Sequence, residues 1–457
     1  MTTTIAQRPP SVADALRERD LRHLWHPYTD AARFEREPYI CFERGEGVYL
    51  YDREGRPVLD GIASWWCASL GHGHPRVVTA IQEQAAVLQH SILGNQSHPR
   101  AVELAARLAE LAPGDCNRVY FAADGASATE AALKMALQYW WNKGVSGRTR
   151  FVCLEEGYHG DTLGAVGVGF VQAFHAPFAD AVVRGYTAPA PHYDGPASDG
   201  RDEAAALEAF GVLERLVAEK HRELAGIILE PLVQGAAGIR IYHPEYLRRL
   251  RALCDAYDLL LIADEIAVGF WRTGPRFACD VAGIVPDILC LGKAVTAGYL
   301  PLSAAIAREH VFATFRNESG INRDRTFYDG HTFCGNPIAA AAALAAIDVY
   351  EDAALQEHVR ELESILGEGM AECVKAKCVR YHKCIGMIGM LKIDANAGGA
   401  ERAREVKQAA YAKGLLVRPL GDVLYLWPPL TATADELQSM VGILAEALRQ
   451  SSNQRPM

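Results

Sequence analysis

From about residue 75 onward the chain alternates short apolar runs with helical patterns of roughly 12–18 residues, and this alternation constrains the fold more than any other feature. A strand that is apolar on both faces must be covered on both sides, and the unit that does this is a strand, a crossover helix and a second parallel strand. Strands are predicted at Arg118–Ala122, Arg150–Leu154, Gly226–Glu230, Leu259–Asp264, Ile288–Leu291 and Ser303–Ala307, which together make a doubly wound, mostly parallel α/β sheet. Upstream, Gly47-Val-Tyr-Leu-Tyr-Asp, the turn Arg53-Glu-Gly-Arg and Pro57-Val-Leu-Asp read as a hairpin. After about residue 340 the order is helix (Ala339–Tyr350), helix (Leu355–Val374), strand (Ile385–Ile393), helix (Glu401–Lys413), strands at Leu415–Arg418 and Val423–Trp427, and a helix from Asp435. That order fits a separate small α+β domain. The expected division is 1–74 as the N-terminal segment of the small domain, 75–338 as the large domain, and 339–457 as the C-terminal part of the small domain. The stretch from Phe174 to Asp202, with Pro177, Pro189, Pro191 and Pro196, is expected to be a long irregular connection.

Charge narrows the partners. With 46 basic and 56 acidic residues the chain carries a net charge of −10 and has no electrostatic reason to bind a phosphate backbone or an anionic membrane surface. No apolar run approaches the roughly 18 residues that cross a bilayer. The opening MTTTIAQRPPSVADALRERD has no apolar core followed by a cleavage site, so a cytoplasmic protein is expected. Its eleven cysteines are odd in number, and several sit inside apolar stretches such as Phe151-Val-Cys-Leu, which marks them as reduced core residues rather than a disulfide framework. Cys373, Cys378, His382 and Cys384 lack the Cys-x-x-Cys pairs of structural zinc, and no metal is expected there.

The segments Leu259-Leu-Leu-Ile-Ala-Asp264-Glu-Ile and Pro286-Asp-Ile-Leu-Cys-Leu-Gly-Lys293-Ala hold the most chemical information. Each ends a buried parallel strand in a charged residue at the carboxyl edge of the sheet, where open α/β folds place their ligands. Asp264 and Glu265 are adjacent on a strand and point to opposite faces, so they cannot form a hydrolytic carboxylate pair. A buried Lys293 opposite a buried Asp264 is a different proposition. A desolvated lysine can lose its proton and form a Schiff base, and a nearby carboxylate can keep a pyridine nitrogen protonated, which is the equipment of pyridoxal phosphate (PLP) chemistry. Phe121-Ala-Ala-Asp-Gly125-Ala-Ser-Ala-Thr-Glu130 adds a strand, a Gly turn and a helix start whose free amides suit a phosphate. Each feature alone has an ordinary structural explanation: Asp264 as a cap, Lys293 as a solvated charge, the Gly turn as capping, Tyr158 and Trp65-Trp66 as core aromatics, Arg418 as a strand-end charge.

Three runs together resemble the class III (ω-type) PLP-dependent aminotransferases: Ala263-Asp-Glu-Ile-Ala-Val-Gly-Phe-Trp-Arg-Thr-Gly, Cys290-Leu-Gly-Lys-Ala-Val-Thr-Ala-Gly-Tyr-Leu-Pro-Leu, and Thr332-Phe-Cys-Gly-Asn-Pro. The resemblance runs from about Leu24 to about Leu430 and implies the fold-type-I PLP aminotransferase architecture, a homodimer with shared active sites. Four further segments resemble the biotin-pathway branch of that family: His23-Leu-Trp-His-Pro-Tyr-Thr, Asp60-Gly-Ile-Ala-Ser-Trp-Trp, Lys134-Met-Ala-Leu-Gln-Tyr-Trp, and Val417-Arg-Pro-Leu-Gly-Asp-Val-Leu-Tyr-Leu-Trp-Pro-Pro. They imply transfer of an amino group from S-adenosylmethionine to 8-amino-7-oxononanoate. The alternatives are another class III enzyme with a diamine, lysine, ornithine or β-amino acid as donor, and a PLP-binding regulatory module without turnover.

Carried onto this chain, the resemblance assigns Lys293 to the covalent hold on the cofactor and Asp264 to its ring nitrogen. Tyr158, in Gly157-Tyr-His-Gly, falls to stacking on the cofactor face. Gly125 and Ala126 meet the phosphate, with Thr332 arriving from a second subunit, and Gly330 falls to substrate binding. Tyr28, Trp65 and Arg418 line the substrate pocket, Arg418 taking the carboxylate of the keto substrate, and Arg272 lies beside the site. The chain departs from the family pattern at three positions. Ala126 replaces a hydroxyl residue, leaving Ser127 as the candidate substitute; Trp271 stands where Gly commonly precedes the arginine; and His331 replaces a frequent Pro.

Overall fold

The computed structural model describes residues 12–316 and 324–452; residues 1–11, the start of the opening segment read above as lacking a leader, lie outside them. Its centre is a seven-stranded sheet in the order Cys116–Ala122, Ser303–Arg308, Ile288–Leu291, Leu260–Asp264, Leu224–Leu229, Arg150–Leu154, Tyr186–Ala188. Only Ser303–Arg308 runs antiparallel to its neighbours. All six residues of Leu224–Leu229 and all five of Leu260–Asp264 are buried, which is why these runs are continuously apolar rather than alternating. Helices Gly125–Asn142, Pro99–Leu111, Asp202–Lys220 and Glu245–Ala256 cover the sheet.

Two smaller sheets border it. One contains Phe42–Glu46, Tyr49–Asp52 and Pro57–Asp60 with Leu415–Leu416 added in parallel, Leu59 facing Leu415 and Asp60 facing Leu416. The other contains Val379–Ile385, Ile388–Ile393 and Val423–Leu426. The ladder to Leu415–Leu416 therefore joins the N-terminal hairpin to the C-terminal segment. Helix Pro337–Tyr350 packs on helices Pro75–Val87 and Pro99–Leu111.

Two expectations change. The stretch expected to be irregular after Phe174 contains Tyr186–Ala188, an edge strand whose backbone pairs with Val152–Leu154. Three residues are too few to show a periodicity. The single strand expected at Ile385–Ile393 is a hairpin that turns at Gly386, where φ is +51° and a Cβ would sit 2.4 Å from the Arg272 carbonyl oxygen. Among the described residues, no helix is long and apolar enough to cross a membrane, and no cluster of His, Cys, Asp and Glu is arranged to hold a metal.

Candidate active site

The carboxyl ends of the parallel strands lie at one edge of the sheet, and five of the six deliver one functional group each. Strand Cys116–Ala122 leads to Gly125, Arg150–Leu154 to Tyr158, Leu224–Leu229 to Glu230, Leu260–Asp264 ends in Asp264, and Ile288–Leu291 leads to Lys293. Asp264 lies level with Cys290 in the parallel ladder, so the acid and the lysine leave neighbouring strands toward the same edge. Glu265 points the other way and accepts the amides of Ala278 and Cys279 at 2.7 and 2.8 Å, capping a helix.

A cavity of about 500 Å³ is lined by Trp66, Gly125, Ala126, Tyr158, His159, Glu230, Asp264 and Lys293. At one end the helix Gly125–Asn142 begins, capped by Asp124, whose carboxylate accepts the Ser127 amide at 2.9 Å and the Ser127 hydroxyl at 3.1 Å. Ser127 is thus buried and committed to its own cap, so it does not stand in for the hydroxyl missing at Ala126. The amides of Gly125 and Ala126 are left as the helix's offer to an anion. On the floor, Asp264 is held by His159 Nδ1 at 2.7 Å and by the Ile266 amide at 3.0 Å. Room for a ring, an anion cradle, a buried carboxylate and a lysine all in one cavity fit PLP. Lys293 is only half-buried, where the sequence suggested a buried lysine. Its φ of +41° places it in the left-handed region, a strained conformation of the kind found at functional positions.

A second cavity of about 1020 Å³ shares Tyr158, Asp161, Trp66 and Lys293 with the first and extends along Tyr28, Trp65 and Arg418. The Arg418 guanidinium lies 3.9 Å over the Trp65 ring, and the Tyr28 ring meets Trp65 edge-on at 5.8 Å. Of the other cations on this wall, Lys392 pairs with Asp422 at 2.8 Å, Lys383 pairs with Asp202, and Arg240 faces Glu156 at 3.7 Å. Among the described residues, Arg418 meets no carboxylate within 4.0 Å. The Trp65-Trp66 pair is presented by the turn Ala63–Trp66, in which all four residues have positive φ, from +45° to +71°. Each such L-residue costs roughly 1–2 kcal/mol. Trp66 stacks on Trp427 at 5.0 Å and sits 5.4 Å from Lys293 Nζ.

Asp161, His159 and Glu230 were given no role from the sequence. Asp161 accepts the hydroxyls of Tyr28 at 2.6 Å and Tyr158 at 2.9 Å, binding the two cavities' aromatics together. Burial and Asp161 push the Tyr28 phenol up to about 12, and burial, with Tyr28 and Asp161, raises Tyr158 further. Both phenols therefore keep their protons. Glu230 accepts the amides of Tyr158 at 3.0 Å and Gly235 at 2.8 Å. Its burial, reinforced by the Asp264 charge, pushes it up to about 7. A polar residue directly after an apolar strand was the available signal for Glu230, the same one that exposed Asp264.

Arg272 lies behind the cavity wall, next to Trp427, which stacks on Trp66. It lines neither cavity; it is buried and donates to the carbonyls of Met387 at 3.1 Å and Pro428 at 2.8 Å, with the Trp427 ring 5.4 Å away. Burial lowers its pKa to about 9. The departure at Trp271 is part of the reason, since that ring stacks on Tyr350 at 6.1 Å and anchors the segment in the core. Gly330 and Thr332 are exposed and line neither cavity of the single chain.

Residues 31–448 match the family described as aminotransferase class-III. The chain belongs to the class III aminotransferases. These enzymes work with PLP, and the cavity at Lys293 is the place in this class III aminotransferase that fits it. Adenosylmethionine-8-amino-7-oxononanoate aminotransferase of Synechococcus elongatus is 41% identical over 93% of this chain and 98% of its own. The crystal structure of the enzyme of the same name from Methanocaldococcus jannaschii superposes with a TM-score of 0.88 at 32% identity, covering 96% of this chain and 99% of that one. An omega transaminase from Pseudomonas jessenii, solved in complex with PMP, gives a TM-score of 0.88 at 27% identity over 95% and 97% of the two chains.

Proposed function

We propose that this class III aminotransferase moves an amino group from S-adenosylmethionine to 8-amino-7-oxononanoate, giving 7,8-diaminononanoate in biotin biosynthesis. One observation carries the acceptor assignment: the Arg418 guanidinium, unmatched by any carboxylate among the described residues, stacked on Trp65 in a cavity shared with Lys293. A keto acid with an aliphatic chain and a distal carboxylate needs an apolar channel that ends in a planar fork. Relatives over nearly the whole chain carry that activity in their names.

Bound PLP supplies an electron sink for the pair left when a proton leaves the substrate carbon. Asp264, oriented by His159 and the Ile266 amide, holds the proton on the pyridine nitrogen. With the cofactor bound, Lys293 would hold it until the amino donor takes its place, and the freed Nζ would then carry the proton from the substrate carbon to the cofactor carbon. Gly125 and Ala126 bind the phosphate with their amides, and Tyr158 covers the ring. Tyr28 and Trp65 exclude water from the channel to Arg418.

Thr332 completes the phosphate side from a second subunit of a homodimer and Gly330 contacts the substrate there, roles supported by their exposure beside Tyr328 and Phe333, 82% and 62% exposed in the single chain. We divide the chain into the segments 1–74, 75–338 and 339–457; the pairing of Leu59 with Leu415 supports the union of the outer two. The enzyme works in the cytoplasm on small molecules, without nucleic-acid or membrane partners, in keeping with its net charge of −10.

Amino donors added one at a time to the yellow holoenzyme test the assignment. S-adenosylmethionine should bleach the visible band and 8-amino-7-oxononanoate should restore it. Faster conversion by a diamine, lysine, ornithine or a β-amino acid would replace the donor.

A further inference from the structure

Asp60 ends the strand Pro57–Asp60 and is fully buried, yet no part of the chemistry above uses it. Its Oδ1 accepts the Ile62 amide at 3.3 Å, and its Oδ2 accepts the Ser64 hydroxyl at 2.7 Å and His72 Nε2 at 3.0 Å. Those donors belong to the entry of the left-handed turn Ala63–Trp66, to the turn itself, and to a loop fixed elsewhere. His72 is held in place because its backbone exchanges hydrogen bonds with Gly47 at 2.7 and 2.9 Å. No glycine relieves the turn, whose φ values are +45°, +45°, +67° and +71° from Ala63 to Trp66. Left-handed backbone in non-glycine residues persists only where the surroundings over-determine it. Here a buried carboxylate gathering three donors does so, in a medium where each hydrogen bond is stronger than in water.

We propose that Asp60 is a positioning residue for the acceptor wall, acting through the Ala63–Trp66 turn to hold the Trp65 ring under Arg418; this rests on the acceptor assignment to that wall. The hand of the turn decides which way the two indoles emerge, and only the observed hand sets Trp65 against Arg418 while Trp66 lies beside Lys293. The opposite side of the wall hangs from the same point. Asp60 faces Leu416 in the parallel ladder, and the Gly61 amide donates to the Leu416 carbonyl at 3.1 Å, two residues before Arg418. Asp60 thus ties both sides of the gap that the substrate's carboxylate and chain must enter, the indole side through its carboxylate and the guanidinium side through its backbone register.

Two holoenzyme variants test this. Asp60→Asn keeps the side-chain shape but removes the charge and turns one acceptor into a donor, so the Ile62 amide, the Ser64 hydroxyl and His72 can no longer all donate to it; Ser64→Ala removes only the bond to the turn and serves if the first does not fold. The near-ultraviolet dichroism of Trp65, taken as the difference from Trp65→Phe, should collapse in either background. The KM for 8-amino-7-oxononanoate should rise about tenfold with kcat changed less than about threefold, and the S-adenosylmethionine half-reaction should be nearly unchanged. Adding Trp65→Phe to either variant should raise the KM little further, because both changes act through one ring. A Trp65 signal that persists, or losses that add and fall on kcat in both half-reactions, overturns the proposal. A wild-type enzyme that does not accept 8-amino-7-oxononanoate overturns the acceptor assignment instead, and the Trp65 signal still decides whether Asp60 holds the turn.

Discussion

Arg418 and Glu230 show how single side chains in this enzyme are defined by what they lack. Arg418 lacks a carboxylate partner among the described residues, and Trp65 beneath it is a surface for a planar cation rather than a counter-ion. Arg418→Ala should therefore leave a keto acid's carboxylate unpaired in the channel, at a cost of about 2–5 kcal/mol in the acceptor half-reaction. The donor half-reaction should lose much less, and Arg418→Lys should recover little because an ammonium has no fork. Stopped-flow rates of the two half-reactions measure this; equal losses in both would mean a shared carboxylate site. Glu230 lacks water, and burial raises it to about 7 from an ordinary 4.5. The folded protein then holds this proton to higher pH than the unfolded chain does, so the group's contribution to stability is present below 4.5 and is lost as pH rises through about 7. Glu265 is raised to the same value, also chiefly by burial. Glu230→Gln should therefore reduce by about half the part of the decline in unfolding free energy between pH 4.5 and 7 that these two groups cause. Denaturant titrations at a series of pH values measure it, and an unchanged slope would contradict the shift.

At the scale of elements, the phosphate end of the cofactor cavity depends on how closely two turns approach. Gly160, two residues past Tyr158, has a φ of +118°, and a Cβ there would lie 2.3 Å from the Ala126 Cβ. Gly160→Ala must push the start of helix Gly125–Asn142 away from the cavity or strain its own backbone, by roughly 1–2 kcal/mol for the positive φ alone. The expected outcome is a folded protein with a faster PLP off-rate, read from loss of the visible band on dilution. Undiminished retention would show that the turn has slack. Elements were legible from sequence in proportion to their length and burial. The fully buried strands Leu224–Leu229 and Leu260–Asp264 are continuous apolar runs and were found within two residues, whereas Tyr186–Ala188 is defined by its partner strand and not by its own residues.

The whole molecule is a sheet that brings one residue from each of several strands to one edge, with a second wall added by chain segments from both ends. The proposed site residues Gly330 and Thr332, on an exposed segment, lie outside both cavities, and in a homodimer Thr332 would meet the partner's cofactor. A ligand held by two chains favours the assembled state, so PLP should tighten dimerisation and dimerisation should tighten PLP. Sedimentation with and without PLP at falling protein concentration should show the cofactor-free form dissociating first. A stable monomer that binds PLP as tightly as the assembly would remove Thr332 from the site.

What the sequence by itself determined is the chemistry at the strand ends. Asp264 and Lys293 could be picked out because a charged residue ending a buried apolar run is a local pattern, and a parallel sheet sends all such ends to one edge. The tertiary structure alone decided everything that depends on segments distant in the chain. It set Trp65 under Arg418, joined His159 to Asp264, tied Tyr28 and Tyr158 through Asp161, and drew Arg272 into the core, where the carbonyls of Met387 and Pro428 take its hydrogen bonds. The hand of the Ala63–Trp66 turn belongs with these. No propensity of Ala, Ser or Trp favours a positive φ; the convergence of Ile62, Ser64 and His72 on a buried carboxylate, with the seating of Trp66 against Tyr425 and Trp427, holds that backbone.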